Sequence, residues 1–296
     1  MRMTKPMLAA KLEWERMRYP VFVSPKIDGI RCVVQDGKPM SRSWKVLPNR
    51  HLQQGIAMCP ILEYFDGEVV VGDPSAPNVY NASMSGIMSQ GGMPNFKYLV
   101  FDYVENPHAL YSTRLDKLRL LVSGGKVPSW VHLLPQALCS SREEVEEIEG
   151  ACLDKGFEGV IARDPNGHYK YGRSTAREGY LLKLKRYEDT EATVVGYEEL
   201  MHNDNPAFLD VQGHTKHTSH KAGQRPGGVL GALECRMENG LTFFIGSGFD
   251  HEQRIDLWNA REALVGRVVK FRHLPHGRLE KPRHPVFLGW RDTIDM

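Results

Sequence analysis

Short apolar runs bounded by glycine, proline or aspartate dominate the first two-thirds of the chain. They are rich in valine, isoleucine, tyrosine and phenylalanine, which is the pattern of strands. The pattern predicts strands at Val21–Ser24, Arg31–Gln35, Glu68–Val71, Tyr98–Val104, Gly159–Arg163 and Tyr180–Lys185. Asp36-Gly37 directly follows the second of these strands and predicts a tight hairpin turn there.

Two segments between these strands have the apolar spacing of helices. Thr113 begins a Thr-x-x-Asp box that is followed by leucines, and Ser141 forms a capping box with Glu144. Gly156 is a suitable C-terminal cap for the second helix. Because strands and helices do not alternate regularly, the pattern predicts an α+β domain built on an antiparallel sheet.

After about residue 188 the pattern changes to that of a small β-barrel. Strands are predicted at Ala192–Tyr197, Leu233–Met237, Leu241–Gly246 and Val268–Arg272. One helix is predicted from His251 to Leu264, capped by Asp250 and ended by Gly266. These elements fit an OB-fold, although other small barrels would have the same pattern. Residues 201–228 are too polar for a core and predict a long inserted loop, which is usually functional or disordered.

Length and composition narrow the class of protein. A chain of 296 residues favours two domains. Its apolar runs are too short to span a membrane, and its first residues lack a signal-peptide core. Five cysteines without a Cys-x-x-Cys pair predict a reduced intracellular protein with no structural zinc site.

Net charge is only +2, but positive charge is concentrated in two stretches. Residues 170–186 contain six lysines and arginines and one acid, and residues 267–291 contain seven and one. Such stretches indicate either phosphate contacts or two solvated faces, and charge alone does not separate these alternatives.

The hexapeptide Lys26-Ile27-Asp28-Gly29-Ile30-Arg31 has the groups needed for a nucleophilic lysine. A lysine is almost wholly ammonium near neutral pH, and nearby positive charge or a metal lowers its pKa and makes it reactive. Arg31 supplies charge, Asp28 supplies a metal ligand, and Gly29 permits close approach of a ligand. A solvated hairpin loop would have a similar composition.

Five further positions have functional and structural interpretations of similar weight. Taken one at a time, these positions could have a purely structural explanation: a surface arginine, an acid at a turn, a core aromatic, an acid at a strand start and a pair of lysines on an outer strand face. The positions are Arg42, Glu68, Phe101, Glu158 and the pair Lys183 and Lys185. The two lysines alternate with Leu182 and Leu184 and lie on one face, where they repel each other unless an anion is close.

In their order, these residues resemble the motifs of the covalent nucleotidyltransferases, which comprise polynucleotide ligases and mRNA capping enzymes. Lys26–Arg31, Arg42, Glu68, Phe101, Glu158 and Lys183/Lys185 resemble motifs I, Ia, III, IIIa, IV and V. Residues 281–291 resemble motif VI of the ligases, and the polar insertion before Gly231 resembles the latch of small viral DNA ligases. The resemblance covers essentially residues 4 to 292, and it identifies the chain as a member of the ATP-dependent DNA ligases.

This resemblance implies a fold, a reaction and partners. The fold is a nucleotidyltransferase (ATP-grasp-like ligase) domain at residues 1–188 and an OB-fold β-barrel domain at residues 189–296, with a latch at about 203–228. The reaction seals nicks in duplex DNA through lysyl-AMP and requires ATP and Mg²⁺ or Mn²⁺. The protein would be an intracellular monomer that closes around DNA, in the manner of viral or phage enzymes.

The resemblance also implies a role for each matched residue. The nucleophile is Lys26, and the metal ligands are Asp28 and Glu158. Nucleotide contacts would come from Arg31, Glu68, Phe101, Glu158, Arg173, Lys183 and Lys185. Contacts to the leaving pyrophosphate would come from Arg283 and Arg291. DNA contacts would come from Arg42, Ser85, Lys216, Lys221 and Arg225.

Three alternatives have less support. A capping guanylyltransferase shares the lysine motif but would use GTP, and the motif near the carboxyl end favours a DNA ligase. Many RNA ligases lack the arginine of the hexapeptide. A non-catalytic OB-type binding protein would not need Lys26, Glu68, Glu158 and the lysine pair together. One departure is Ser24-Pro25 before the lysine, where related enzymes have a threonine.

Overall fold

A computed structural model describes residues 3–209, 215–218, 223–274 and 281–291, except the side chains of residues 208, 209 and 215–217. The chain divides into two compact units between Lys185 and Arg186. Both combine mostly antiparallel sheets with short helices, so the predicted α+β class is confirmed. Among the described residues, no helix is long and apolar enough to cross a membrane.

The first unit contains two five-stranded sheets. One sheet has the order β5-β4-β6-β7-β8 and the other has the order β2-β12-β10-β3-β9. A short parallel pair joins β1 to β11. The strands are β1 (Met7–Leu8), β2 (Ala10–Lys11), β3 (Val21–Pro25), β4 (Ile30–Gln35), β5 (Lys38–Met40), β6 (Phe65–Val71), β7 (Phe96–Tyr103), β8 (Val131–Leu133), β9 (Ala137–Cys139), β10 (Gly159–Arg163), β11 (Gly172–Arg173) and β12 (Leu181–Lys185).

Most pairs in these two sheets are antiparallel, and the pairs β7–β8 and β12–β2 are parallel. The predicted hairpin turn is confirmed, because Gln35 pairs with Lys38 across Asp36 and Gly37, both at positive φ. Each predicted strand of this unit corresponds to an observed one, with ends that differ by a few residues.

Four helices cover the outer faces of the two sheets. They are α1 (Arg50–Ala57), α2 (Val79–Ile87), α3 (Tyr111–Ser123) and α4 (Arg142–Asp154). The first three contribute Leu52, Ile87 and Leu118 to a core against the sheet of β4, β6 and β7. Helix α4 packs Val145 and Cys152 against the other sheet.

The predicted helix signals were only partly correct. Ser141 caps α4, since its side chain accepts a hydrogen bond from the backbone N–H of Glu144. The predicted start at Thr113 was wrong. Helix α3 begins at Tyr111 without a side-chain cap, because this tyrosine is buried and its hydroxyl donates to the carbonyl of Phe101.

The second unit is built on one antiparallel sheet with the order β17-β16-β13-β18-β19. Its strands are β13 (Glu188–Asn203), β16 (Gln224–Arg236), β17 (Thr242–Ile245), β18 (Val268–Leu274) and β19 (Arg283–Trp290). Ser247, just after β17, forms a bridge with Val286 of β19, so opposite edges of the sheet meet. The predicted Asp250–Gln253 capping box is present on α5 (His251–Asn259), and a separate 3₁₀ turn follows at Arg261–Leu264.

The prediction of a long loop over residues 201–228 was wrong for the described part of that segment. The long strands β13 and β16 continue into it, with Met201 paired to Pro226 and Asn203 paired to Gln224. A further two-stranded sheet joins β14 (Ala207–Leu209) and β15 (Thr215–His217). A polar hairpin needs no apolar core because its backbone hydrogen bonds are satisfied between strands.

Candidate active site

The inner faces of the two sheets in the first unit enclose a cavity of about 120 Å³ beside Lys26. One sheet contributes Ser24, Pro25, Ile161, Arg163 and Leu181, and the other contributes Arg31, Glu68 and Phe101. Lys26 directly follows β3, and its backbone N–H donates to the carbonyl of Gly159 at 2.9 Å. The nucleophile predicted from the hexapeptide therefore lies at the wall of a cavity that both sheets build.

Lys26 and Lys185 both contact the same oxygen of Glu158. The distances from their Nζ atoms to Glu158 Oε2 are 2.5 Å and 2.7 Å. Burial alone would raise the pKa of Glu158, but the attraction of Lys26 and hydrogen bonds from both lysines outweigh it and lower that pKa to about 2. Glu158 is consequently ionised at neutral pH and holds two ammonium groups.

Lys183 and Lys185 have lowered pKa values. Burial is the main cause for each, and Lys26 adds repulsion to both. Lys183 is also repelled by Arg173 and Arg42. Positive charge is therefore concentrated around Glu158, as the predicted lysine pair implied.

Gly159 makes this cluster possible. It has φ +135, and a Cβ built on it would collide with the carbonyl oxygen of Leu184 on the neighbouring strand. In the register of β10 and β12, Gly159 pairs with Lys185. Close approach of the two strands at this glycine brings Glu158 and Lys185 together.

Arg31 is fixed by a buried carboxylate that the sequence interpretation missed. Its Nε lies 2.6 Å from Asp66 Oδ1 and a terminal nitrogen lies 2.7 Å from Asp66 Oδ2. Tyr169 donates from its hydroxyl to the same Oδ2 at 2.7 Å. Asp66 lies two residues before Glu68, and this spacing along a strand was the signal for a second acid on the same face.

Glu68 lines the cavity and lies 4.0 Å from Arg31, its partner in the register of β4 and β6. Burial raises the pKa of Glu68 to about 7, although Arg31 and Lys26 act in the opposite direction. This carboxyl therefore changes its charge near neutral pH.

Phe101 has cationic neighbours. Its ring centroid lies 4.7 Å from the guanidinium carbon of Arg31 and 4.9 Å from that of Arg163. Arg163 is held by Asp102, at 2.6 Å, and Asp102 also binds Arg114 of α3 at 2.8 Å. Sequence interpretation missed Arg163 and Asp102, and a charged residue within each apolar strand was the available signal.

A polar groove of about 270 Å³ shares Lys26, Arg31 and Glu68 with the cavity. Its remaining lining includes Asp28, Arg42 and Tyr80. Asp28 and Arg42 are thus placed beside the nucleophile, as their motifs implied. Ser85, also predicted as a DNA contact, lies on α2, the helix that contributes Tyr80.

The predicted metal ligands Asp28 and Glu158 are both carboxylates, the ligand type that magnesium prefers. The described residues contain no group of three or more His, Cys, Asp or Glu side chains that would hold a metal. A magnesium ion bound to phosphates needs only one or two carboxylates. Asp28 lines the polar groove together with Lys26, and Glu158 contacts Lys26, so these two carboxylates fit this role.

The remaining predicted residues have separate surroundings. Arg173 lies on β11 and donates to the carbonyl of Ala9 at 2.7 Å. In the second unit, Arg225 pairs with Asp204 at 2.7 Å, Arg291 pairs with Glu191, and Arg283 begins β19. The side chain of Lys216 and the whole of Lys221 lie outside the described residues.

The chain is similar to known DNA ligases. The family model described as the DNA ligase OB-like domain matches residues 223–291. Among solved structures, the chain is similar to the Chlorella virus DNA ligase-adenylate, with 33% sequence identity and a TM-score of 0.56. That match covers 98% of this chain and 100% of the viral one.

Two more distant structures share the fold. A structure of the Lig E DNA ligases is 23% identical with a TM-score of 0.72, and the match covers 98% of this chain and 100% of that one. The ligase domain of M. tuberculosis LigD is 19% identical with a TM-score of 0.50, with coverage of 97% and 94%. A search of curated proteins found no match.

Proposed function

Because this chain belongs to the family of ATP-dependent DNA ligases, we propose that it seals nicks in duplex DNA through a lysyl-AMP intermediate on Lys26. The substrates would be ATP and a nick with a 3′-hydroxyl and a 5′-phosphate. The protein would act as a monomer on DNA. The nucleotidyltransferase domain at residues 1–188, the OB domain at residues 189–296 and the latch at about 203–228 remain part of this proposal.

The observation that carries the proposal is that Lys26, at the cavity wall, shares one carboxylate with a second lysine. Lys26 and Lys185 both contact Glu158, and Lys183 has no carboxylate partner among the described residues. Buried positive charge in excess of negative charge is costly, and a bound phosphate removes that cost. A nucleotide whose α-phosphate lies between these lysines would satisfy the cluster.

In the first step the amine of Lys26 attacks the α-phosphorus of ATP. The ammonium of Lys26 first loses one proton to become the amine, the N–P bond then forms as the P–O bond to pyrophosphate breaks, and a second proton leaves the nitrogen as the phosphoramidate forms; both protons pass to solvent. Glu158 is a poor proton acceptor because its pKa is about 2. Its role is therefore to orient Lys26, while Lys183 and Lys185 contact the α-phosphate.

The cavity holds the nucleoside. Phe101 stacks on the adenine, and Glu68 accepts hydrogen bonds from the ribose hydroxyls. Arg31, fixed by Asp66, contacts the sugar and the phosphate of the nick. Ser24 lines the same cavity where related enzymes have a threonine, so its hydroxyl is available to the nucleotide.

In the later steps AMP passes to the 5′-phosphate of the nick, and the 3′-hydroxyl then attacks that phosphate and expels AMP. The polar groove with Asp28 and Arg42 is the proposed position of the nick. Asp28 and Glu158 would hold a magnesium ion, which neutralises charge on the phosphates. Arg283 and Arg291 are assigned to the leaving pyrophosphate, Arg173 to a nucleotide phosphate, and Ser85, Lys216, Lys221 and Arg225 to the DNA.

The experiment that tests this proposal is incubation with α-labelled ATP or GTP and Mg²⁺, followed by a denaturing gel. The protein is first treated with pyrophosphate to remove any adenylate acquired during expression. We expect label from ATP and not from GTP, and no label on Lys26→Ala or on Lys26→Arg, which keeps the positive charge. Lys117→Gln, an exposed substitution on α3, is the control and should be labelled normally.

A labelled enzyme should then seal a nicked duplex and leave a gapped duplex unsealed. Label from GTP alone would place the chain with the capping enzymes instead. Label retained by both Lys26 variants would move the nucleophile elsewhere.

A further inference from the structure

A second lysine stands directly beside Lys183, on a strand to which the sequence motifs assign no function. Lys11 ends β2, the edge strand of its sheet, and the register of β2 and β12 pairs Lys11 with Lys183. The same rung continues inward, because Lys183 pairs with Ile161 and Ile161 pairs with Ser24.

The side chains of this rung point to the cavity side of the sheet. The neighbouring rung contains Ala10 and Leu182, which are buried in the core against α4. Because successive side chains of a strand alternate between faces, Lys11 and Lys183 lie on the opposite face from that core. Ile161 and Ser24 of the same rung line the nucleotide cavity.

The pairing of Lys11 with Lys183 is unfavourable without an anion. Like charges directly opposite on neighbouring strands destabilise a sheet. No carboxylate of the described residues forms an ion pair with either lysine, and Lys183 is already repelled by Arg173, Lys185, Lys26 and Arg42. Lys11 is exposed, and the strand register places it next to this cation cluster, at the outer edge of the sheet.

One structural explanation competes with a binding role. Lysines on edge strands discourage pairing with other chains, and Lys11 is on such a strand. That purpose does not require a cation opposite, and an edge lysine is more stable beside an acid. The position of Lys11 across from Lys183 therefore favours an anionic ligand.

We propose that Lys11 binds a backbone phosphate of the nicked DNA, next to the phosphate that is held at Lys183. This inference rests on the proposed ligase function. Neighbouring strands are about 4.8 Å apart, so Lys11 lies roughly 10 Å outward from the cavity wall at Ile161. The α-phosphate of one nucleotide is already contacted by Lys26, Lys183 and Lys185, so it does not need Lys11. A polymer with regularly repeated phosphates, such as DNA, fits a row of cations that leads away from the cavity.

The test compares Lys11→Gln and Lys11→Arg with Lys117→Gln and the wild type. Affinity for a nicked duplex is measured by fluorescence anisotropy at several salt concentrations, with the protein in its adenylated form and with EDTA present, so that AMP is not transferred to the nick. For Lys11→Gln we expect a roughly three- to tenfold weaker affinity and a salt slope that is smaller by about 1. Lys11→Arg and Lys117→Gln should match the wild type.

Self-adenylation at limiting ATP is measured on the same four proteins and should be unchanged. An unaltered affinity and salt slope in Lys11→Gln would overturn the inference and leave Lys11 as an edge-strand lysine. A raised KM for ATP with unchanged DNA affinity would also overturn it, because Lys11 would then contact the nucleotide. A wild-type protein that neither self-adenylates nor binds nicked DNA would refute the ligase proposal itself.

Discussion

Asp66 accepts two parallel hydrogen bonds from Arg31, at 2.6 Å and 2.7 Å, and is completely buried. Such a two-point contact fixes the plane of the guanidinium and leaves its remaining terminal nitrogen towards Glu68, 4.0 Å away. Arg31 is therefore aimed by a residue that lines neither the cavity nor the groove.

Replacement of Asp66 by asparagine should lower both stability and activity. Asp66→Asn keeps the shape of the side chain but leaves Arg31 buried without its countercharge, which costs about 3–5 kcal/mol. We expect the free energy of unfolding, measured with urea, to fall by that amount. Self-adenylation should fall by a larger fraction than the amount of folded protein does.

Asp116→Asn is the matched control. Asp116 pairs with Arg119 on the exposed surface of α3. Its replacement should change the free energy of unfolding by less than about 1 kcal/mol. If Asp66→Asn were as stable as this control, Asp66 would not be what fixes Arg31.

Binding of the nucleoside should depend on pH through Glu68. Its pKa is raised to about 7, so the carboxyl is protonated below that pH and ionised above it. Only the ionised form accepts hydrogen bonds from ribose hydroxyls at both oxygens. Affinity should therefore rise as pH increases through 7. Adenosine is the suitable ligand for calorimetry, because it has no phosphate that titrates in this range.

Glu68→Gln should bind adenosine weakly and with little pH dependence between about pH 6 and 8. An equal rise of affinity with pH in Glu68→Gln and in the wild type would assign the titration to another group.

The tip of the long hairpin should contribute to DNA binding and not to nucleotide chemistry. Asp204 donates from its backbone N–H to the carbonyl of Gly223 at 2.8 Å, so residues 205–222 can be replaced by Asn-Gly without breaking the preceding strand pairs. We expect weaker binding of nicked duplex in an anisotropy assay and normal lysyl-AMP formation. Unchanged nick affinity would refute the latch assignment.

Arg283 should act in the first step of the reaction more than in the last. Arg283→Ala should lose self-adenylation at least tenfold more than it loses sealing of DNA that already has AMP on its 5′-phosphate, because pyrophosphate leaves only in the first step. Arg236→Ala, an exposed arginine of the same unit, serves as the control. Equal losses of Arg283→Ala in both assays would contradict the assignment.

Local patterns predicted most strands and several residues that line the cavity. Lys26, Glu68 and Phe101 line one cavity, as their motifs implied, because alternation along a strand determines which side chains share a face. Helix α2 was not predicted because its segment contains an asparagine, two serines and a glycine, which have low helix propensity, and Asn78 does not cap it. Helix α1 was missed although Asn49 caps it with a bond from Leu52.

The supporting contacts of the site could not be predicted from local pattern. Asp66 and Tyr169 are separated by 103 residues, and Asp102 and Arg163 by 61. Each of these residues lies in a short segment whose own sequence pattern gives no sign of its partner. The packing of the two sheets brings these pairs together, and the periodicity of one segment does not predict how the sheets pack.

Strands β10 and β12 approach each other so closely at Gly159 that a larger residue does not fit there. A single added methyl group there would meet the carbonyl of Leu184 and push β12 away from β10. The displaced strand carries Lys183 and Lys185, so one small substitution would move two ammonium groups through the backbone to which they are attached. Codon 159 should therefore tolerate almost no variation in a mutational library selected for ligase activity, while exposed positions of the same unit, such as Lys117, vary freely.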